Sequence, residues 1–282
     1  MERIVRLDGA VTGFHVTGRY IDCMCGRELL KADKCSGEIV YRKTVFEREG
    51  FSRKLAADRG EIYLYDFCTL YAFAQEDYAL LGKWRLGDDL RSDICAMAVD
   101  EDTVYCSIRN GKIFTLDRRS GSIREVSVSG SSMWSLKPYG RHLLCGTVDG
   151  RLLLLDRAAI SIEQTLVLGR KNIGSLYLDG ETLYAAGHDG KLFKISMKSL
   201  EAEKLIKNAH KKMFGCIGTY HDSVVTVSHP CSEIAMWDKH TLERIKVIPV
   251  PLRLSGQAYI EEDCMYISSR NIFGIARVRL SD

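Results

Sequence analysis

Short apolar runs broken by Gly, Asp and Asn recur along the chain, too short for the amphipathic helices of a helical repeat. Three segments show the pattern best: RNGKIFTLD (109–117), VDGRLLLLD (148–156) and HDGKLFKIS (188–196). Each carries a polar-Gly pair, Asn110-Gly111, Asp149-Gly150 or Asp189-Gly190, preceded by the runs TVYCSI, HLLCGT and TLYAAG. The pairs predict tight hairpins with a type I′ turn, positive φ falling on both central residues. One more strand is expected before each hairpin (94–99, 133–138, 173–178) and another after it (123–128, 162–168, 202–207). Gly111, Gly150 and Gly190 recur at a period of about forty residues, and four short strands per such period make a propeller blade.

The same unit extends in weaker form to both ends. A first repeat covers 11–45 and a second 51–86. Others begin near Ile94, Met133, Ile173, Phe214 and Gly256. The segment RIVRL (3–7) alternates as a strand should but has no hairpin of its own, while the last repeat runs out of chain after IFGIARVRL (272–280). Both defects disappear if the N-terminal strand completes the last blade, which also removes free sheet edges. The expectation is therefore an all-β, seven-bladed β-propeller of four-stranded blades, filling residues 1–282 as a single domain and closed by its N-terminal strand.

One copy carries more than the pattern. In 209–238, AHKKMFGCIGTYHDSVVTVSHPCSEIAMWD, the pair Ala209-His210 opens the unit and Trp237-Asp238 ends its third strand. This copy resembles the WD-repeat family, whose Gly-His and Trp-Asp pairs stand at those places. The resemblance implies that His210, Asp222, Thr226 and Trp237 form the family's hydrogen-bonded tetrad, which staples a blade and does no chemistry. Other copies keep only a terminal Asp, as at Asp117 and Asp156. It also implies a scaffold or adaptor that holds a protein partner.

Composition narrows this little. Hydrophobic residues make up 46% and charged residues 27%, as in ordinary globular chains, and the net charge of +3 does not by itself indicate a nucleic-acid binder. No secretory signal pattern or membrane-length apolar run is visible, and the ten cysteines are scattered rather than framed as pairs. The expected setting is a reducing cytoplasm. Cys25, Cys106 and Cys145, with Ala186 in the fifth repeat, are read as one tight small-residue packing slot. Cys23-Met24-Cys25 lacks metal-knuckle spacing, so neither metal nor cofactor is expected.

Charge supplies the binding candidates. In the resembling family, loops entering the first strand and turns between the second and third share one rim. Here those segments hold Arg109, Arg170, Lys171, Lys211, Lys212, Arg253 and Arg270, with Arg27 and Arg91. Trp134 and Phe214 are interleaved with them, and His188 and His229 fall in the hairpin turns. A basic rim around aromatic anchors suits an acidic protein segment. A single nucleic-acid strand is an alternative, stacking on Trp134 or Phe214. An enzyme of lyase or hydrolase type is another, using His188 and His229 with Arg109 and Arg270 as anion binders. No Ser/His/Asp arrangement and no phosphate-cradling Gly loop is visible, and the resemblance implies a non-catalytic role, since propellers of that family are mostly scaffolds.

Overall fold

A run such as RLLLLD cannot alternate between a buried and a wet face, because every position is apolar; such a strand must be buried on both faces. The computed structural model shows how. It describes residues 1–47, 54–87, 93–210, 214–228, 233–252, 254–269 and 272–281. All regular elements are strands, arranged as seven four-stranded antiparallel sheets, the blades of a seven-bladed β-propeller.

The chain divides into two compact units. The second, residues 67–69 and 84–217, contains three whole blades. They are β10–β13 (Ile94–Val99, Thr103–Ile108, Lys112–Asp117, Ile123–Ser127), β14–β17 (Met133–Tyr139, His142–Thr147, Arg151–Asp156, Ser161–Val167) and β18–β21 (Ile173–Asp179, Thr182–Gly187, Leu192–Ser196, Glu201–Ile206). Their first strands lie side by side, β10 against β14 and β14 against β18. In the middle blade, Leu143, Cys145, Leu153 and Leu155 pack toward the preceding blade, while Leu144, Leu152 and Leu154 pack toward the next. That two-sided burial is the reason for the unbroken leucine run. The outermost strand β17 is largely exposed and correspondingly polar.

The first unit comprises residues 1–66, 70–83 and 218–282. It holds β1 (Glu2–Arg6), β2–β5 (Val11–Val16, Tyr20–Cys25, Glu28–Asp33, Ile39–Thr44) and β26–β28 (Leu254–Glu261, Cys264–Ser269, Gly274–Arg279). It also holds β6 and β7 (Leu55–Asp58, Glu61–Asp66) and β23–β25 (Ser223–Ser228, Glu233–Asp238, Arg244–Pro249). The strands β8 (Thr69–Ala74), β9 (Leu80–Arg85) and β22 (Phe214–Tyr220) run across the division. As expected, the N-terminal strand completes the last blade: β1 pairs antiparallel with β28, and Arg277 donates to Glu2 at 2.6 Å.

Three details correct the sequence reading. The hairpin turns are not type I′. Positive φ is confined to Gly111, Gly150 and Gly190 (79°, 85° and 79°), not to the Asn or Asp before them. In each turn the glycine N–H donates three residues back, to Ile108, Thr147 or Gly187, which is a type I turn ending in a left-handed glycine. The small-residue slot holds Cys23, Cys106, Cys145 and Ala185, which face Leu30, Phe114, Leu153 and Phe193 across the sheet. Cys25 and Ala186 are offset from it. Burial pushes the Cys23, Cys106 and Cys145 thiols well above their ordinary pKa, so they are inert packing groups.

The tetrad is the third. The Trp237 indole N–H donates to the Thr226 hydroxyl at 2.8 Å, both buried. Asp222, however, is exposed in the β22–β23 turn, where its carbonyl accepts the Lys239 N–H. It stands four positions from Thr226, at the far end of the strand, too far to join that hydrogen bond.

Candidate interaction site

The side chains that the sequence singles out are positioned by two recurring backbone devices. The first is a β-bulge at the second residue of the inner strands β10, β14 and β18. Register breaks at Cys95 in β10, at Trp134 in β14 and at Gly174 in β18. A bulge re-aims the extra side chain out of the alternating pattern. Two blades put a small residue there, and the middle blade puts a tryptophan there. The second device ties down the loop that leaves each outer strand. The turn-glycine carbonyl accepts two consecutive N–H groups: Val128 and Ser129 on Gly111, Leu168 and Gly169 on Gly150, Ala209 and His210 on Gly190. Glycine is required at these points. A Cβ on Gly111 would lie 1.9 Å from the Ser129 oxygen, and one on Gly150 would lie 2.5 Å from the Gly169 carbonyl carbon.

Between these devices the second unit brings Trp134 against His188 and His188 against Asn172, with Arg170 and Lys171 directly before Asn172 in the chain. The Trp134 and His188 rings meet edge to face, centroids 6.3 Å apart. The His188 ring lies over Gly174, whose bulge leaves room for it: a Cβ there would come within 2.4 Å of the imidazole Nε2. His188 is anchored through its own N–H, which donates to the Asn172 carbonyl at 2.8 Å. The Asn172 side-chain amide is 3.2 Å from His188 Nδ1. Asn172 is only 7% exposed, and its Oδ1 has no hydrogen-bond partner among the described residues. Arg170 and Lys171 immediately precede it, are exposed, and form no ion pair among the described residues.

One other predicted cation, Arg109, has a carboxylate partner. It pairs with Asp93 at 3.2 Å, and its carbonyl accepts the Ser132 hydroxyl. Its charge is thus balanced by Asp93, with both side chains partly exposed. Asp149 and Asp189 are engaged by neighbouring side chains. Partial burial works to raise the Asp149 carboxyl. Hydrogen bonds from Arg151, Thr147 and Ser131 outweigh that and hold it at about 2. Lys191 pairs with Asp189 at 2.6 Å. Lys211, Lys212, His229, Arg253 and Arg270 lie outside the described residues, as does the side chain of Phe214 in β22.

Sequence reasoning missed Asn172 and Asp93. The run Arg170-Lys171-Asn172 before an apolar strand was visible, but a buried Asn looks like any loop Asn until its neighbours are known. Among the described residues, no group of three or more His, Cys, Asp or Glu side chains could hold a metal ion.

No family model matches the chain, and no curated protein does. Among solved structures, the crystal structure of the computationally designed protein Ika8 is similar over 99% of this chain and 100% of its own. The TM-score is 0.76 at 12% sequence identity. At that identity the likeness concerns the fold alone. It supports the propeller and says nothing of what the chain binds.

Proposed function

We infer that the protein is a non-catalytic interaction platform, a scaffold or adaptor, which holds an acidic segment of a protein partner on the face built around Trp134. Propellers commonly mediate protein interactions, and the observation that carries the reading for this chain is local. One partly buried tryptophan occupies a bulge where neighbouring blades keep Cys or Gly, and the Arg170-Lys171 pair, which has no ion-pair partner among the described residues, lies in the loop leading to Asn172 and its His188 partner. Trp and Arg are the residue types that dominate interface energetics, and free cations beside an aromatic anchor select for carboxylates. The His188 ring is held in place by backbone and side-chain contacts, so little ordering cost remains for binding.

Affinity capture from the native source tests this, comparing the wild type with Trp134→Ala and with Arg170→Glu/Lys171→Glu. A stoichiometric acidic protein retained by the wild type and lost from both folded variants is the expected result. Equal capture by all three would contradict it. Recovery of nucleic acid, released steeply by salt, would favour the single-strand alternative.

A further inference from the structure

The first unit carries a different surface. An open groove of about 460 Å³ lies where the end of β5 and the segment after it meet β8 and β9. Its floor is aromatic: Phe46, Tyr71, Phe73 and Tyr78. The rings are locked together. Phe46 and Tyr71 meet edge to face at 4.9 Å, and Tyr71 and Phe73 are parallel at 6.2 Å. Phe46, Phe73 and Tyr78 are themselves buried core residues, so the floor is preformed.

This groove does not follow from the fold alone, since two of its aromatics occupy slots that other blades fill differently. Phe46 is the second residue tied to a turn carbonyl, here that of Arg27; the matching residues elsewhere are Ser129, Gly169 and His210. Tyr78 takes the positive-φ position between third and fourth strands, held elsewhere by Gly37, Gly121, Ile160, Leu200 and Leu242. A second groove in the same unit, beside β1 and β28, contains the Arg277–Glu2 ion pair and no aromatic residue.

Charge decides what would enter. Lys83 Nζ sits 5.5 Å from the Tyr71 ring centroid, and Lys43 Nζ donates to the Asp77 carbonyl at 3.2 Å. Neither lysine has a carboxylate partner among the described residues. Glu47 and Asp66 also line the groove, so its net charge is zero. Position matters more than the sum: one ammonium lies over the aromatic floor, and the other is held beside the turn that carries Tyr78. A carboxylate would replace a π face and a neutral carbonyl with stronger charge-assisted hydrogen bonds. The groove is open, with Leu80 on its wall 57% exposed, so it would not enclose a small molecule as ligand pockets do. It fits a side chain presented by an extended chain.

We propose that this aromatic groove is a docking site for an extended peptide segment of a partner protein, one that inserts an aliphatic or aromatic side chain beside a carboxylate. The test uses blocked, fluorescein-labelled heptapeptides with a central Leu or Phe flanked by Asp. Controls replace the flanking Asp by Lys, or the central residue by Ala. Anisotropy titrations of the whole chain should show binding of the Asp-flanked apolar peptides. Affinity should be about tenfold weaker or worse for either control, and for Lys43→Glu/Lys83→Glu. Both lysines reach the surface, so the variant should keep the wild-type melting temperature. Arg170→Glu/Lys171→Glu should bind these peptides as the wild type does, which separates this site from the Trp134 face. Equal binding of acidic and basic peptides, or binding unchanged in Lys43→Glu/Lys83→Glu, would overturn the proposal. So would absence of peptide binding together with self-association of the chain that Leu80→Asp abolishes, since the occupant would then be a second copy.

Discussion

The aspartate that ends the third strand of a blade explains more of this chain than any other single residue type. Asp33, Asp117, Asp156 and Asp238 each turn a carboxylate oxygen back onto N–H groups two or three residues ahead, closing the turn to the outer strand. The backbone N–H of Ser36, Ser120, Ala159 and Thr241 is the largest influence on the respective carboxyl and holds it below its ordinary range. A lowered folded pKa means that the unfolded chain binds more protons as pH falls. The contribution is therefore complete above the unfolded Asp value of about 3.9 and is lost as pH drops through the lowered folded values. Urea unfolding followed against pH should show this loss, and Asp156→Asn should make the acid limb shallower; an unchanged limb would refute the role. The terminal Asp was legible in the sequence as a repeated letter, but its task in a turn was not. At Trp237 the reverse holds. The Thr226 partnership was read correctly, and Asp222 was misassigned because a motif fixes residue types without fixing which turn they occupy. Thr226→Val should leave the buried indole N–H without an acceptor and cost about 1–3 kcal/mol in denaturant unfolding.

Among the elements, strands were easier to read than turns. The period-two and two-sided apolar patterns locate every blade, because burial acts on many residues at once. Turn type depends on one φ angle, and an Asn-Gly or Asp-Gly pair is compatible with either a type I′ turn or a type I turn ending in glycine. The slot taken by Cys and Ala was displaced for the same reason: register across a sheet is fixed by turn geometry, which the sequence leaves open. Two glycines test the turn account. Gly140 has φ of 52° and nothing near its missing Cβ, whereas Gly150 has φ of 85° and close backbone on that side. Gly140→Ala should cost about 1–2 kcal/mol, the left-handed penalty alone. Gly150→Ala should cost clearly more in the same thermal unfolding assay, because it also pushes Gly169 and Arg170 away; equal costs would contradict the close-packing argument. The closing strand has its own consequence. Removing residues 1–7 opens the edge of β28, and the truncated chain should melt lower and associate with rising concentration in sedimentation.

For the molecule as a whole, seven repeats of one sheet make a frame in which individual positions can be given over to binding without disturbing the fold. Trp134 in a bulge and Phe46 in a loop slot depart from what other blades place there while the sheets stay intact. The sequence showed Trp134, Arg170, Lys171 and His188 as separate candidates; in the structure the Trp134 and His188 rings meet, His188 lies against Asn172, and Arg170 and Lys171 directly precede Asn172 in the chain. The pairing of Arg109 with Asp93, 16 positions earlier, was not read from the sequence, because it depends on how the segment before β10 meets the end of β11. Recognition by the Trp134 face is the central claim. Hydrogen–deuterium exchange of the chain with and without its captured partner tests it most directly. The account predicts slowed exchange concentrated in 130–135, 169–174 and 187–190, and none of it in Arg170→Glu/Lys171→Glu. Protection confined to other strands, with these segments unchanged, would contradict it.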